Sequence, residues 1–464
     1  MADRTDFIRA MTQRIEEERA RLVRLDLYYS GTQPLAFLAP EVREAVAGRL
    51  TSLVINWPRL VVGAVEERLD VEGFRLAPES APDSDLWRIW QANGLDEGSQ
   101  EAHTEALVHG RAFAIVWAGT NGIPRITVES ARQMIVTRAP GSRVVIRALK
   151  RWIEDGYAFA TLYEPDAITR WRSVSKAPDA GDASYAPAGG WSLRETIENP
   201  LGVVPVVPLV NRPRLLLPDG ESELTDVLPI ADAVNKIATD LMVSAEFSAM
   251  PRRWATGIEI AEEQKLDDDG SPLTDEDGQP IMVPANQFSP VAGRLWLAES
   301  AETRFGQFSE SELTSFTNAI RMFTQALAAM SGLPPHYVAL AAQDNPASAD
   351  AIRSAEASLV SKARRKQRSF GGSWEDVMRL ALLVRDGTPP AGADALETVW
   401  RDPETRTVAQ AADAAVKLVQ AGILPAQAAL ESLGYSPQAV ERIRSMRRQD
   451  ALDQVVAELE LPSP

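Results

Sequence analysis

Leu313, Phe316, Ile320, Phe323, Leu327 and Met330 recur at steps of three and four, a single apolar stripe that predicts an amphipathic helix. Ser309 with Glu312 forms a capping box at its start, and Gly332 followed by Pro334 and Pro335 ends it. A longer helical pattern begins at Asn345-Pro346, an N-cap with proline at the first helical position. It runs through Ile352, Ala355, Leu359, Ala363 and Phe370 to Trp374, Val377, Ala381 and Val384, with a kink expected at Gly371-Gly372. The polar segment between the two, Ala341 to Ser348, reads as a loop held out by long helices. Val227, Ile230, Val234, Ile237, Leu241 and Ala245 repeat the same spacing and predict a helical partner of similar length.

The chain opens on an amphipathic helix over residues 5–27, through Phe7, Met11, Ile15, Leu22 and Leu25. Pro40 and Pro58 each stand where a short helix begins, and a further pair is expected over Asp85–Gln91 and Glu97–His109. Beyond Gly110 the period becomes that of strands: Ala112–Trp117, Arg125–Val128, Gln133–Thr137, Arg143–Leu149 and Ala158–Tyr163, with a last extended run at Val203–Val210. This predicts an α+β first half. Residues 251–308 form a separate unit with strand-like pieces at Arg253–Ile260, Ile281–Val283 and Arg294–Leu297, and its acidic stretch reads as a solvated hairpin tip. Three helices are expected at the C-terminus, over Glu404–Ala421, Pro425–Leu433 and Pro437 to about Leu459. The fold class is α+β, predominantly α-helical.

Composition narrows the chemistry. With 464 residues and 45% hydrophobic positions the chain can bury real cores. It has no run of 18 apolar residues, which excludes a spanning helix, and its charged start has no apolar signal core, so it is expected to be soluble and made in the cytoplasm. Zero cysteines exclude disulfides, thiolate metal sites and a cysteine nucleophile. No phosphate loop, dinucleotide fingerprint or nucleophile elbow appears, so no catalytic residue and no cofactor is assigned and the chain does not read as an enzyme. His103 and His109 fall on different helix faces and read as structural, and the acidic stretch Asp267 to Asp277 lacks the ligand spacing of a calcium loop. The net charge of −17 is opposite to that of a protein gripping duplex DNA by its phosphates. Lys362, Arg364, Arg365, Lys366 and Arg368 form a basic face on the long helix that fits phosphate, an acidic neighbour or a second subunit. Arg442, Arg444, Arg447 and Arg448, after two short helices, leave open a monomeric DNA-binding adaptor as the alternative.

Seven short motifs, in order, carry a family likeness: Tyr28-Tyr29-Ser30-Gly31-Thr32-Gln33-Pro34-Leu35, Asn56-Trp57-Pro58-Arg59, Val108-His109-Gly110-Arg111-Ala112-Phe113, Gly332-Leu333-Pro334-Pro335-His336-Tyr337, Asn345 to Arg353, Phe370-Gly371-Gly372-Ser373-Trp374, and Val399-Trp400-Arg401-Asp402-Pro403. Over nearly its whole length the chain resembles the portal proteins of tailed double-stranded DNA bacteriophages, of the siphovirus type found in phages of actinobacteria. The resemblance implies a homo-oligomeric ring of twelve subunits at one capsid vertex. A terminase large subunit packs double-stranded DNA through it without reading sequence, DNA later leaves through it, and the major capsid protein and a head-tail adaptor are its neighbours. It implies a wing over residues 1–224 with the long wing helix 349–390, stem helices over 225–250 and 309–331, a clip over 251–308, an end of the stem and tunnel loop over 332–348, and a helical crown over 391–464. Ala341, Ala342, Gln343, Asp344 and Asn345 then stand at the tip of the tunnel loop. Asp232, Asn235, Lys236, Thr239, Thr317, Asn318, Arg321 and Gln325 become candidates for channel or intersubunit surface. Location in the virion, with host cytoplasm during assembly, and no membrane partner follow from the same likeness.

Overall fold

The structure is a computed structural model, and it describes residues 2–34, 53–76, 83–119, 122–176, 187, 189–249, 253–256, 262–265, 271–275, 278–284, 302–307, 313–338, 348–388, 392–404, 408–435 and 437–460. The chain divides into two compact units, one of Met1–Leu35, Val54–Ala233 and Phe323–Pro464, the other of Ala36–Leu53 and Val234–Met322. In chain order the first elements are α1 (Ala2–Ser30), α2 (Trp57–Glu66), β1 (Val71–Arg75), α3 (Ser84–Ala92), α4 (Leu95–His109), β2 (Arg111–Trp117), β3 (Arg125–Ser130), β4 (Met134–Arg138), β5 (Val145–Glu154), β6 (Tyr157–Tyr163), β7 (Ala167–Lys176), β8 (Trp191–Glu198) and β9 (Val206–Val210). After them come α5 (Leu228–Ala249), β10 (Arg253–Thr256), β11 (Glu262–Gln264), β12 (Met282–Pro284), β13 (Arg304–Gln307), α6 (Thr314–Ser331), α7 (Ala349–Asp386), β14 (Glu397–Trp400), α8 (Val408–Gln420), α9 (Ala426–Ser432) and α10 (Pro437–Glu460).

The larger unit is built around β2. Its first six residues, Arg111–Val116, are all buried, because β3 and β9 flank it as antiparallel neighbours while α4 and α7 pack against it. A strand covered this way reads as a continuous apolar run. Arg111 is the exception in that run, and Glu18 of α1 accepts its guanidinium hydrogen bond at 2.7 Å. The second sheet is an antiparallel meander in the order β4-β5-β6-β7-β8. Strand alternation sends Ile135, Leu149, Ala160 and Leu162 to the face that buries Ile8, Met11 and Ile15 of α1. Strands β7 and β8 carry no clear pattern in the sequence: β7 buries Ser173 and exposes Val174, against apolar alternation, and β8 is an edge strand with Arg194, Glu195 and Glu198 exposed.

Strand β1 pairs with β14, from opposite ends of the chain, and neither is visible as a strand in sequence because each is only four or five residues long. This ribbon explains Gly371. Helix α7 is continuous through Gly371-Gly372, and Gly371 serves close packing, with Thr398 Oγ1 donating to its carbonyl at 3.1 Å. A Cβ on Gly371 would lie 3.0 Å from Trp400 Nε1, whereas one on Gly372 meets nothing within 4 Å. Gly372→Ala is therefore expected to stabilise the unit by up to about 1 kcal/mol through helix propensity, a gain that Gly371→Ala forfeits by pushing β14 away. Thermal unfolding of the two variants should place the Gly372 variant above, and the Gly371 variant at or below, the parent.

Under that ribbon lies an aromatic core. Trp90 and Trp374 meet edge to face at 5.0 Å, Phe74 lies 5.4 Å from Trp90, and His103 stacks on Phe370 at 5.2 Å. Trp374 Nε1 donates to His103 Nε2 at 2.9 Å, and complete burial drags the His103 pKa down to about 3, with the Leu69 backbone offsetting part of that shift. The imidazole is neutral and structural.

In the smaller unit β10 pairs with β13 and β11 with β12, both antiparallel. The β11–β12 hairpin ends in a turn where Asp275 N–H donates to the Gln279 carbonyl at 2.8 Å. The Arg294–Leu297 piece, the capping pair Ser309 and Glu312, the Pro40 helix, Asn345-Pro346 and the loop residues 341–347 lie outside the described residues. Helix α7 starts at Ala349 behind Ser348, whose hydroxyl accepts from Ala351 N–H at 3.2 Å. At the C-terminus α8, α9 and α10 form three helices, the described part of the first beginning at Val408.

Candidate channel and assembly surfaces

Helix α5 buries a stripe of Ala231, Val234, Asn235, Ala238 and Thr239, displaced by about one position from its apolar pattern, of which Ile230, Ile237 and Leu241 are only half-buried. Asn235 (4% exposed) and Thr239 (7%) therefore do not stand on an open polar face; Thr239 turns its hydroxyl inward to the Asn235 carbonyl at 2.8 Å. This corrects the surface role expected of both. Lys236 stays at the margin, paired with Asp240 one turn on at 2.6 Å. Asp232 accepts a 2.6 Å hydrogen bond from the Tyr28 hydroxyl, whose pKa is raised first by burial and then by this carboxylate. On α6, by contrast, Thr317, Asn318, Arg321 and Gln325 are all exposed and share one side of the helix, while Ile320, Thr324 and Leu327 are buried.

Both ends of the 339–347 segment are tied down. On the near side Tyr337 accepts from Arg68 Nη2 at 2.8 Å and donates to Glu356 Oε1 at 3.2 Å. Glu356, on α7 two turns past the segment, is 5% exposed and faces Arg68 at 3.6 Å. His336 stands 3.9 Å from the same carboxylate. Three stretches distant in sequence thus converge on one buried carboxylate.

The basic run on α7 is not one face. Residues four apart share a side, so Lys362 and Lys366 point inward while Arg364, Arg365 and Arg368 point to solvent. Lys366 is 4% exposed and Glu223 3%; both lysines pair with Glu223, and Lys366 also donates to the Asn211 side chain. Lys362 donates in addition to the Ser331 carbonyl at the end of α6, at 3.0 Å, a favourable place for a cation. Burial alone would raise the Glu223 pKa, but the two ammonium groups outweigh it and hold the carboxyl at about 2. Burial lowers Lys366 against the pull of Glu223. This network and the Glu356 cluster are not legible in the sequence because the lysines and Glu356 meet side chains 19 or more residues away; His336 and Tyr337, inside a quoted motif, carried a signal.

Among the described residues no group of side chains could hold a metal ion and no helix is long and apolar enough to cross a membrane. A family model described as "Phage portal protein, SPP1 Gp6-like" matches residues 9–452. The chain belongs to this phage portal family. Portal proteins of Mycobacterium phages L5 and D29 are 37% and 36% identical to it over 414 residues, covering 86% of this chain and 79% of each relative. The neck of a native gene transfer agent particle, computed with C12 symmetry, is a structural neighbour with a TM-score of 0.43, 14% identity, and coverage of 81% of this chain and 88% of that one. Portal-family membership agrees with the α+β fold.

Proposed function

We propose that twelve copies of this chain form a ring at one capsid vertex, through which a terminase packs DNA, DNA later leaves, and to which the head-tail adaptor attaches. The observation that carries this is the match to the portal family over residues 9–452. In this reading residues 1–224 and 349–390 are the wing, 225–250 and 309–331 the stem, 251–308 the clip and 391–464 the crown. The protein acts as a structural conduit, with the work of packing done by a separate motor. Charge supports sliding over gripping: twelve chains at −17 carry roughly −200 formal charges, which repel phosphate.

The exposed side of α6, with Thr317, Asn318, Arg321 and Gln325, is assigned to the channel or to the neighbouring subunit. Ala341, Ala342, Gln343, Asp344 and Asn345 are assigned to the tunnel loop. What supports that assignment is the fixing of its roots by Arg68, Tyr337 and Glu356, since a segment that meets moving DNA needs anchored ends. Removing residues 341–343, or replacing Asp344 and Asn345, is expected to leave ring assembly intact while lowering the DNA packaged or retained per particle. Rings that fail to assemble, or full packaging by the shortened chain, would remove the loop from this role.

A further inference from the structure

We propose that the groove between the two sheets of the larger unit binds an acidic peptide with an aromatic anchor, presented by another protein. The site is built from β2, β3 and strands β5 to β8 alone and does not depend on the ring proposed above. It encloses about 520 Å³, within the range of pockets that take a compact ligand.

Strand alternation makes the floor. Lys150, Trp152 and Glu154 of β5 and Phe159, Thr161 and Tyr163 of β6 all fall on the sheet face opposite α1. Trp152 and Phe159 are direct cross-strand partners, and their rings stack at 5.5 Å. Trp117 of β2 adds a third half-buried aromatic from the other sheet, and Ile197 of β8 extends the apolar surface. Such faces take an aromatic or aliphatic side chain.

The charges of the groove are unevenly spent. Among the described residues four basic and three acidic side chains line it, an excess of one positive charge in a chain that carries −17. Lys150 pairs with Glu129, Arg170 pairs with Glu195 at 2.9 Å, and Glu154 accepts from the Trp152 indole at 3.1 Å. Arg125 of β3 and Arg194 of β8 are exposed and have no acidic partner among the described residues. One unpaired surface arginine is ordinary; two, one from each sheet, bordering the same aromatic floor form a local reversal of sign that draws an acidic partner to this place.

A guanidinium fork takes a carboxylate or a phosphate. The three carboxylates of the lining favour the first. A nucleic-acid strand brings a charge with every nucleotide and is repelled by Glu129, Glu154 and Glu195, whereas a peptide can set carboxylates at the two arginines and neutral groups between them.

The full-length chain is titrated calorimetrically with the blocked peptide Asp-Glu-Phe-Asp-Glu, its counterpart Lys-Lys-Phe-Lys-Lys, and a short oligothymidylate. Saturable binding of the acidic peptide alone is expected, weakened about tenfold in Arg125→Ala/Arg194→Ala. Both arginines are exposed, so this variant should keep the parent's melting temperature. Arg125→Glu/Arg194→Glu is expected to reverse the preference in favour of the basic peptide, which a loss of folding cannot produce. Failure of the acidic peptide to bind, or binding undiminished in the arginine variants, overturns the site. Equal binding of the basic peptide by the parent overturns its charge selectivity, and equal binding of the oligothymidylate overturns a peptide ligand in favour of a phosphate one.

Discussion

Glu223→Ala is expected to lower the unfolding free energy by about 3–5 kcal/mol, the range for removing one partner of a buried ion pair. The carboxylate is the single acceptor between two lysines, and removing it strands Lys366 in the interior with only the Asn211 side-chain oxygen as partner. The loss should appear in urea unfolding as a lower midpoint at unchanged slope. A variant within 1 kcal/mol of the parent, to order of magnitude, would mean that water enters and relieves the lysines.

The same group sets an acid limit. Because the folded Glu223 pKa of about 2 lies below its ordinary 4.5, its contribution is present above 4.5 and is lost as pH falls from there towards 2. His103, at about 3 when folded against 6.5, contributes stability above 6.5 that is lost on the way down to 3. Glu66 opposes it: burial first, then Asp70 and Glu67, raise its pKa to about 7, so it gains a proton in the folded state and stabilises as pH falls from 7 to 4.5. Stability is thus expected to change little between pH 6.5 and 4.5 and to fall steeply below, with Glu223→Gln flattening only the lower limb.

Trp374→Ala should cost about 3–5 kcal/mol, the usual range for truncating a large aromatic in a packed core. The indole is fully buried, meets Trp90 and His103, and is the donor to His103 Nε2. Its removal opens a cavity and leaves a buried acceptor unpaired, so Trp374→Phe, which fills most of the space, should recover only part of the loss. Equilibrium unfolding followed by circular dichroism checks both; equal stability of the Phe and Trp forms would show the hydrogen bond to be worthless.

The motifs that carried the likeness turn out to be junctions, which is why they were legible while most of the network was not. Asn56 caps α2 by accepting from Arg59 N–H at 3.0 Å and donates to the Tyr29 carbonyl at 2.9 Å, and a Cβ on Gly31 would strike it at 2.8 Å. Two motifs more than 20 residues apart are therefore one contact. Gly110, at φ +94° against the Glu221 backbone, and Gly371, against Trp400, mark two more close approaches. Helices with a strong stripe were found because the stripe is local, as in α1, α6 and α7. Short or charged strands such as β1, β8 and β14 owe their state to partners far along the chain, and no local pattern records that. The basic run was misread as one face because composition counts charges and helix geometry separates Lys366 from Arg364.

The most direct measurement is electron microscopy of the purified full-length chain over a range of salt concentrations. Closed rings with an axial hole and a single rotational symmetry are expected. A population that stays monomeric at every salt concentration would contradict the proposed ring.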